Sequence, residues 1–314
     1  MRNSVYCAVL VVASVAGWAG ELSPQKSTGI LCCDQYRRSV LLMDENADWS
    51  QESAILWKWA PMESPEVIPK HRDWFISLSD AKRVLNGTHV IACASGGGIA
   101  LVRFEDKRVE FHARAGGNTH SIECLPDGNL VSASSDGGYL RVFCTDPSVS
   151  HPPDDVKYSD AALADAHGVV WDYQKQCLWA IGDREIVRYR YNGERANPLL
   201  KEEARFTLPS PGGHDLFPVP GTRKLFQTSG GVFMFDTEKE TFEPFDKPTS
   251  KGAVKSISQR EPGGPIIVME ATQSWWSSGI RFVEEDRVLT LDKAKFYKAR
   301  WWVPNTFSYG PEAK

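Results

Sequence analysis

Apolar residues along this chain fall into short runs separated by clusters of Gly, Pro, Asp and Asn, a pattern that predicts many short strands joined by tight turns. The stretch His120-Ser-Ile-Glu-Cys-Leu-Pro-Asp-Gly-Asn129 reads as a strand ending in a Pro-Asp-Gly turn, and Leu130–Phe143 reads as two further strands around a Gly-rich turn. The same order recurs from His167-Gly-Val-Val-Trp-Asp172 through Cys177–Asp183 to Ile186–Arg190. It recurs again from His214-Asp-Leu-Phe-Pro218 through Lys224–Ser229 to Val232–Asp236, so the leading histidines are 47 residues apart twice over.

A further copy runs from Lys255–Ser258 through Ile266–Met269 to Ile280–Val283, and another from Ser79–Leu85 through His89–Ser95 to Ile99–Phe104. The runs Ile30–Asp34, Ser39–Met43 and Ile55–Trp59 match the second to fourth strands of a unit that lacks its first. Lys298–Asn305 aligns with His120–Asp127, Pro304 opposite Pro126, and supplies the missing strand. Units of about 45 residues in which none can bury its own faces imply a closed repeat architecture, and closure removes exposed sheet edges. The expectation is an all-β six-bladed β-propeller in which a C-terminal strand completes the N-terminal blade. Pro153–His167 and Pro198–Arg205 are each expected to hold a turn of helix between blades.

The pair of strands over Ser132–Phe143 is similar to that of WD-repeat propellers, without their Gly-His and Trp-Asp dipeptides. Phrases such as Gly117-Asn-Thr-His-Ser121, Ala166-His-Gly-Val-Val170, Gly212-Gly-His-Asp-Leu216 and Ala253-Val-Lys-Ser-Ile257 carry a wider likeness. On them, residues 28–304 resemble uncharacterised secreted bacterial propellers of the broad YVTN/WD-like superfamily. The resemblance implies a fold and a compartment, and no reaction.

Composition narrows the function classes. The formal net charge of −4, with no run of five or more Lys or Arg residues, disfavours nucleic acid as a partner. Arg2 followed by the apolar stretch Val5–Ala19, with Gly17 and Ala19 before a cut, reads as a signal peptide over residues 1–20, leaving one propeller domain over 21–314. The protein is therefore expected to be secreted or periplasmic, free of the membrane after cleavage, and monomeric. Cys32, Cys33, Cys93, Cys124, Cys144 and Cys177 remain, mostly within strand-like runs, and are read as buried thiols. Asn86-Gly-Thr88 matches a glycosylation acceptor but reads first as a hairpin turn. Phosphate-loop, Cys-x-x-Cys, His-Glu-x-x-His and Gly-x-Ser-x-Gly patterns are absent from the sequence.

The candidate chemistry follows from the repeat. First strands line the channel of a propeller, so His120, His167, His214, Lys255 and Lys298, at one repeat position, are expected to converge at one mouth, with Ser79 or Asp80 completing the ring. Arg300 and Lys82 add positive charge, and Glu123, Asp172 and Asp215 are the acidic groups in reach. Such a ring would hold an anionic small molecule or saccharide, uronates among them. Three imidazoles could also bind a divalent metal, Mn, Zn or Ca, and propeller polysaccharide lyases of the oligogalacturonate type are similar in drawing histidines from separate blades. On that alternative the protein is a metal-assisted lyase or hydrolase of acidic polysaccharides, with these histidines as ligands or acid–base groups, a histidine or Lys255 or Lys298 removing the proton α to a uronate carboxylate, and Arg300 or the metal stabilising the enediolate. A protein-interaction scaffold is the third reading. Trp275 and Trp276, in an insertion, and Trp301 and Trp302, in the closing strand, are candidate sugar-stacking residues.

Overall fold

The computed structural model describes residues 28–146, 148 and 152–311. The signal-peptide segment lies outside the described residues. Among them are six four-stranded antiparallel sheets, each contacting the next through its first strand so that the series closes on itself. Blade 1 is Phe296–Trp301 paired to Ile30–Asp34, then Ser39–Met43 and Ile55–Trp59, as the closure argument requires. Blades 2 to 6 begin at Leu78–Val84, Thr119–Cys124, Gly168–Asp172, Asp215–Pro218 and Val254–Gln259 and run outward in chain order.

Alternation along each strand sends side chains to the two faces of its blade, and the apolar ones meet across each blade–blade seam. Leu31, Val40, Trp57 and Trp59 of blade 1 pack on Ala81, Val90 and Ala100 of blade 2. Val170, Trp179 and Ile186 of blade 4 pack on Leu216, Leu225 and Phe235 of blade 5. Each of the six seams carries such a cluster, with most of its residues sealed from solvent. Fully burying one large apolar side chain contributes roughly 1.5–3 kcal/mol, so the seams hold the ring together.

The two expected helical turns are strands. Tyr158–Ala162 is the outer strand of blade 3 and the eight-residue Leu200–Thr207 the outer strand of blade 4. Their neighbours cover one face only, and the exposed positions carry Asp160, Lys201, Glu203 and Arg205; this polarity hides the strand signal. Asn86 lies at the tip of the hairpin joining the first two strands of blade 2, in a left-handed conformation at φ 56°, which asparagine tolerates better than most residues. All six described cysteines are free and buried.

Candidate functional site

Register fixes which residues ring the channel. In blades 2, 3 and 6 one extra residue, Ser79, His120 or Lys255, bulges out of the pairing between first and second strands. A bulge lets two successive side chains turn toward the same side, so the channel receives both the bulged residue and its successor. Cross-blade bonds extend the alignment: Val169 N donates to Ser121 Oγ, Ile257 N to Asp215 Oδ2 and Ala299 N to Ser256 Oγ. Ala299 is therefore the counterpart of Val169 and Ile257. The bulged position in blade 1 is Tyr297, and Lys298 lies one layer deeper beside Asp80, Ser121, Gly168, Asp215 and Ser256.

This corrects the expected ring: the mouth is lined by Ser79, His120, His167, His214, Lys255 and Tyr297, with Tyr297 where Lys298 was expected. The slip arose because the connection after the closing strand is one residue longer, Trp302 and Val303 preceding Pro304 where Leu125 alone precedes Pro126, so matching the two prolines displaces the strand by one. The Tyr297 ring lies 5.3 Å from that of His120, while the Ser79 hydroxyl turns aside to the Thr119 carbonyl at 2.6 Å.

The second correction concerns charge. Arg300 grips Asp215 through two hydrogen bonds of 2.6 Å and approaches Asp80 at 3.3 Å. Lys298 lies 3.1 Å from Asp215 and donates to the His167 carbonyl at 3.3 Å. Farther along, Lys82 bonds Glu123 at 3.2 Å and the Val169 carbonyl at 2.7 Å, and the Tyr309 hydroxyl caps Glu123 from the C-terminal helix Thr306–Tyr309. Three cations thus meet three carboxylates, and all six are at least nine-tenths buried. Lys298 and Arg300 plug the channel as part of a neutral network and present no charge to a ligand. Asp172 lies outside it, accepting from Trp179 Nε1 and Arg223.

The histidines do converge. The His120 and His167 rings stack at 4.4 Å and 10° between planes, and His167 and His214 at 4.5 Å and 25°. His167 Nδ1 donates to the Asp165 carbonyl at 2.9 Å and His214 Nδ1 to the Gly213 carbonyl at 3.3 Å, so in both rings Nε2 keeps its lone pair. That of His214 accepts from the Lys255 ammonium. His120 Nδ1 is buried with no partner among the described residues.

Burial, then its neighbours His167 and Lys298, hold His120 well below the usual imidazole pKa. Burial also lowers His167, although Asp165 opposes it, and burial with His167 and Lys255 brings His214 to about 3. Burial and the nearby Lys298 lower Lys255 as well. The mouth is a stack of neutral imidazoles. In the unfolded chain an imidazole protonates near pH 6.5, so for His214 between there and about pH 3 the unfolded state binds more protons and stability falls as pH falls, and the lowered His120 and His167 act in the same direction. A ring kept neutral contributes up to about 1.4 kcal/mol per pH unit in that window. The expected result is that His214→Asn flattens the dependence of urea unfolding free energy on pH between 6 and 4.

A divalent metal does not fit His120, His167 and His214. Metal-bound imidazoles aim in-plane lone pairs at a point about 2.0–2.1 Å from each nitrogen, whereas the planes of stacked rings run side by side. Among the described residues no group of three His, Cys, Asp or Glu is arranged to hold a metal ion. Of the tryptophans, Trp301 and Trp302 are core residues. Trp275 is 53% exposed and donates to Gln35, and Trp276 packs under Lys295.

A ring of six blades, closed by the C-terminal strand, plugged by paired charges and opening on a histidine-lined mouth, defines the class as a six-bladed β-propeller. The chain belongs to the family of unknown function DUF6528, whose model matches residues 23–314. No curated protein matches it. One solved structure, "Structure of U3-55K", is similar at 10% identity and a TM-score of 0.47; the match covers 72% of this chain and 63% of that one.

Proposed function

We propose that the protein is a binding propeller whose histidine mouth takes an acidic saccharide, a uronate being the type ligand. The observation that carries this is Lys255. The cations Lys82, Lys298 and Arg300 each have a buried carboxylate partner, but Lys255, half-buried at the mouth, bonds His214 Nε2 and forms no ion pair among the described residues. A ligand carboxylate would give it one. The lone pair of His167 Nε2 asks for a donor, which a sugar hydroxyl supplies and an inorganic anion without hydrogens does not. Asp165, partly exposed beside His167 and near enough to oppose the lowering of the Lys255 pKa, repels a second anion.

Binding is favoured over catalysis because a proton-abstracting base works best with a pKa near the working pH, and burial makes the His120 and His214 imidazoles far less basic. The test is calorimetric titration with galacturonate, galactose and phosphate. Galacturonate is expected to bind best, and Lys255→Ala to weaken it at least tenfold, since a hydrogen bond to a charged group contributes about 1.5–3 kcal/mol. Equal affinity for galactose, or undiminished binding by the variant, would refute the reading, and unsaturated product from oligogalacturonate would replace it with a lyase.

A further inference from the structure

The opposite face of the ring holds a cavity of about 470 Å³ that the histidine mouth does not use, within the roughly 300–1,000 Å³ of small-ligand pockets. Its walls come from the inner-strand ends of three neighbouring blades, Phe217, Gln259 and Trp301, from the turn around Thr222 and Arg223, and from the chain crossing the face at Asn305–Phe307. We propose that this cavity is a second site, for a neutral saccharide unit.

Two cation–aromatic pairs shape it. The Arg300 guanidinium lies 4.2 Å from the centre of the Phe217 ring, which is only partly buried. Arg300 itself is sealed in the channel, so it packs on the inner side of that ring and leaves the outer side as a platform for the C–H face of a sugar. Arg223 stacks over Phe307 at 4.6 Å. Its Nη2 is spent on both oxygens of Asp172 and its Nε on Glu238, which leaves Nη1 to donate to a hydroxyl. Gln259 donates through Nε2 to the Gly264 carbonyl and keeps its side-chain oxygen as an acceptor. Gln174, exposed on the rim, adds a further amide.

The site thus offers a flat apolar face, a donor and an acceptor. Both arginines are already matched by carboxylates, so a charged ligand would find no unpaired partner and would lose its hydration for nothing. A neutral polyhydroxylated ring meets each of these features.

Trp301 closes the wall with its Nε1 held by the Pro265 carbonyl, and binding is read by calorimetry, which an added tryptophan does not disturb. The experiment titrates the full chain with glucose, galactose, mannose, N-acetylglucosamine and their disaccharides, beside Phe217→Leu, Gln174→Trp and Lys255→Ala. The expected result is saturable binding of at least one neutral sugar, weakened tenfold or more by Phe217→Leu and by Gln174→Trp, and unchanged in Lys255→Ala. Gln174 is exposed, so Gln174→Trp should fill the rim with an unaltered melting temperature and separates blockage from misfolding. No binding across the panel, binding that survives both cavity variants, or binding lost with Lys255→Ala would overturn the proposal.

Discussion

Asp215→Ala is expected to destabilise the protein by about 3–5 kcal/mol in urea unfolding, the cost of leaving a buried partner charge uncompensated. Asp215 is fully buried, holds Arg300 through two short bonds and Lys298 through a third, and also accepts from Ile257 N across the blade 5–6 seam. No neighbour can replace it. Asp80 lies across the channel and is itself incompletely bonded, with Oδ1 lacking a well-formed hydrogen bond. Burial raises the pKa of Asp215, but Arg300 and Lys298 outweigh burial and hold it below the usual carboxylate value. Its stabilising contribution is therefore present above the unfolded carboxylate pKa and lost as pH falls through the folded one. A loss below about 1 kcal/mol would mean that the network is wetter and looser than its geometry.

The second large effect comes from closure. Removing residues 296–314 takes the inner strand from blade 1, Phe296, Ala299 and Trp301 from the blade 6–1 seam, and Trp302 from the blade 1–2 seam. It also leaves Ile30–Asp34 as an open edge of five buried residues and strips both cations from Asp80 and Asp215. The truncated chain is expected to aggregate, as an unpaired apolar edge favours, and to yield no folded monomer by size exclusion and circular dichroism. A soluble monomer with an unchanged melting temperature would show that the closing strand is dispensable.

Much of the fold was legible because each blade repeats the same apolar strands and turn residues, and the 47-residue spacing of His120, His167 and His214 set the period. What escaped was polar or geometric. The outer strands Tyr158–Ala162 and Leu200–Thr207 are half solvated and carry charges, so periodicity did not mark them as strands. The connection from the closing strand to Pro304 is one residue longer than that from Cys124 to Pro126, and no residue type announces it; only cross-strand pairing distinguishes Tyr297 from Lys298. The cationic character expected of the mouth failed because a linear reading counts charges without showing that Asp80 and Asp215, from opposite blades, meet Arg300 on the axis. The cavity around Phe217 and Arg223 gathers residues from four blades and the C-terminal crossing, a juxtaposition that no local motif signals.

The central claim is that the mouth is a stack of neutral imidazoles with Lys255 as the charge left for a ligand. Following the histidine ring signals by NMR from pH 8 to 5, assigned through His120→Asn, His167→Asn and His214→Asn, tests it most directly. The account predicts that His120 and His214 do not titrate in that range and that His167 has its midpoint below 6.5; a midpoint at or above 6.5 for any of them would contradict it.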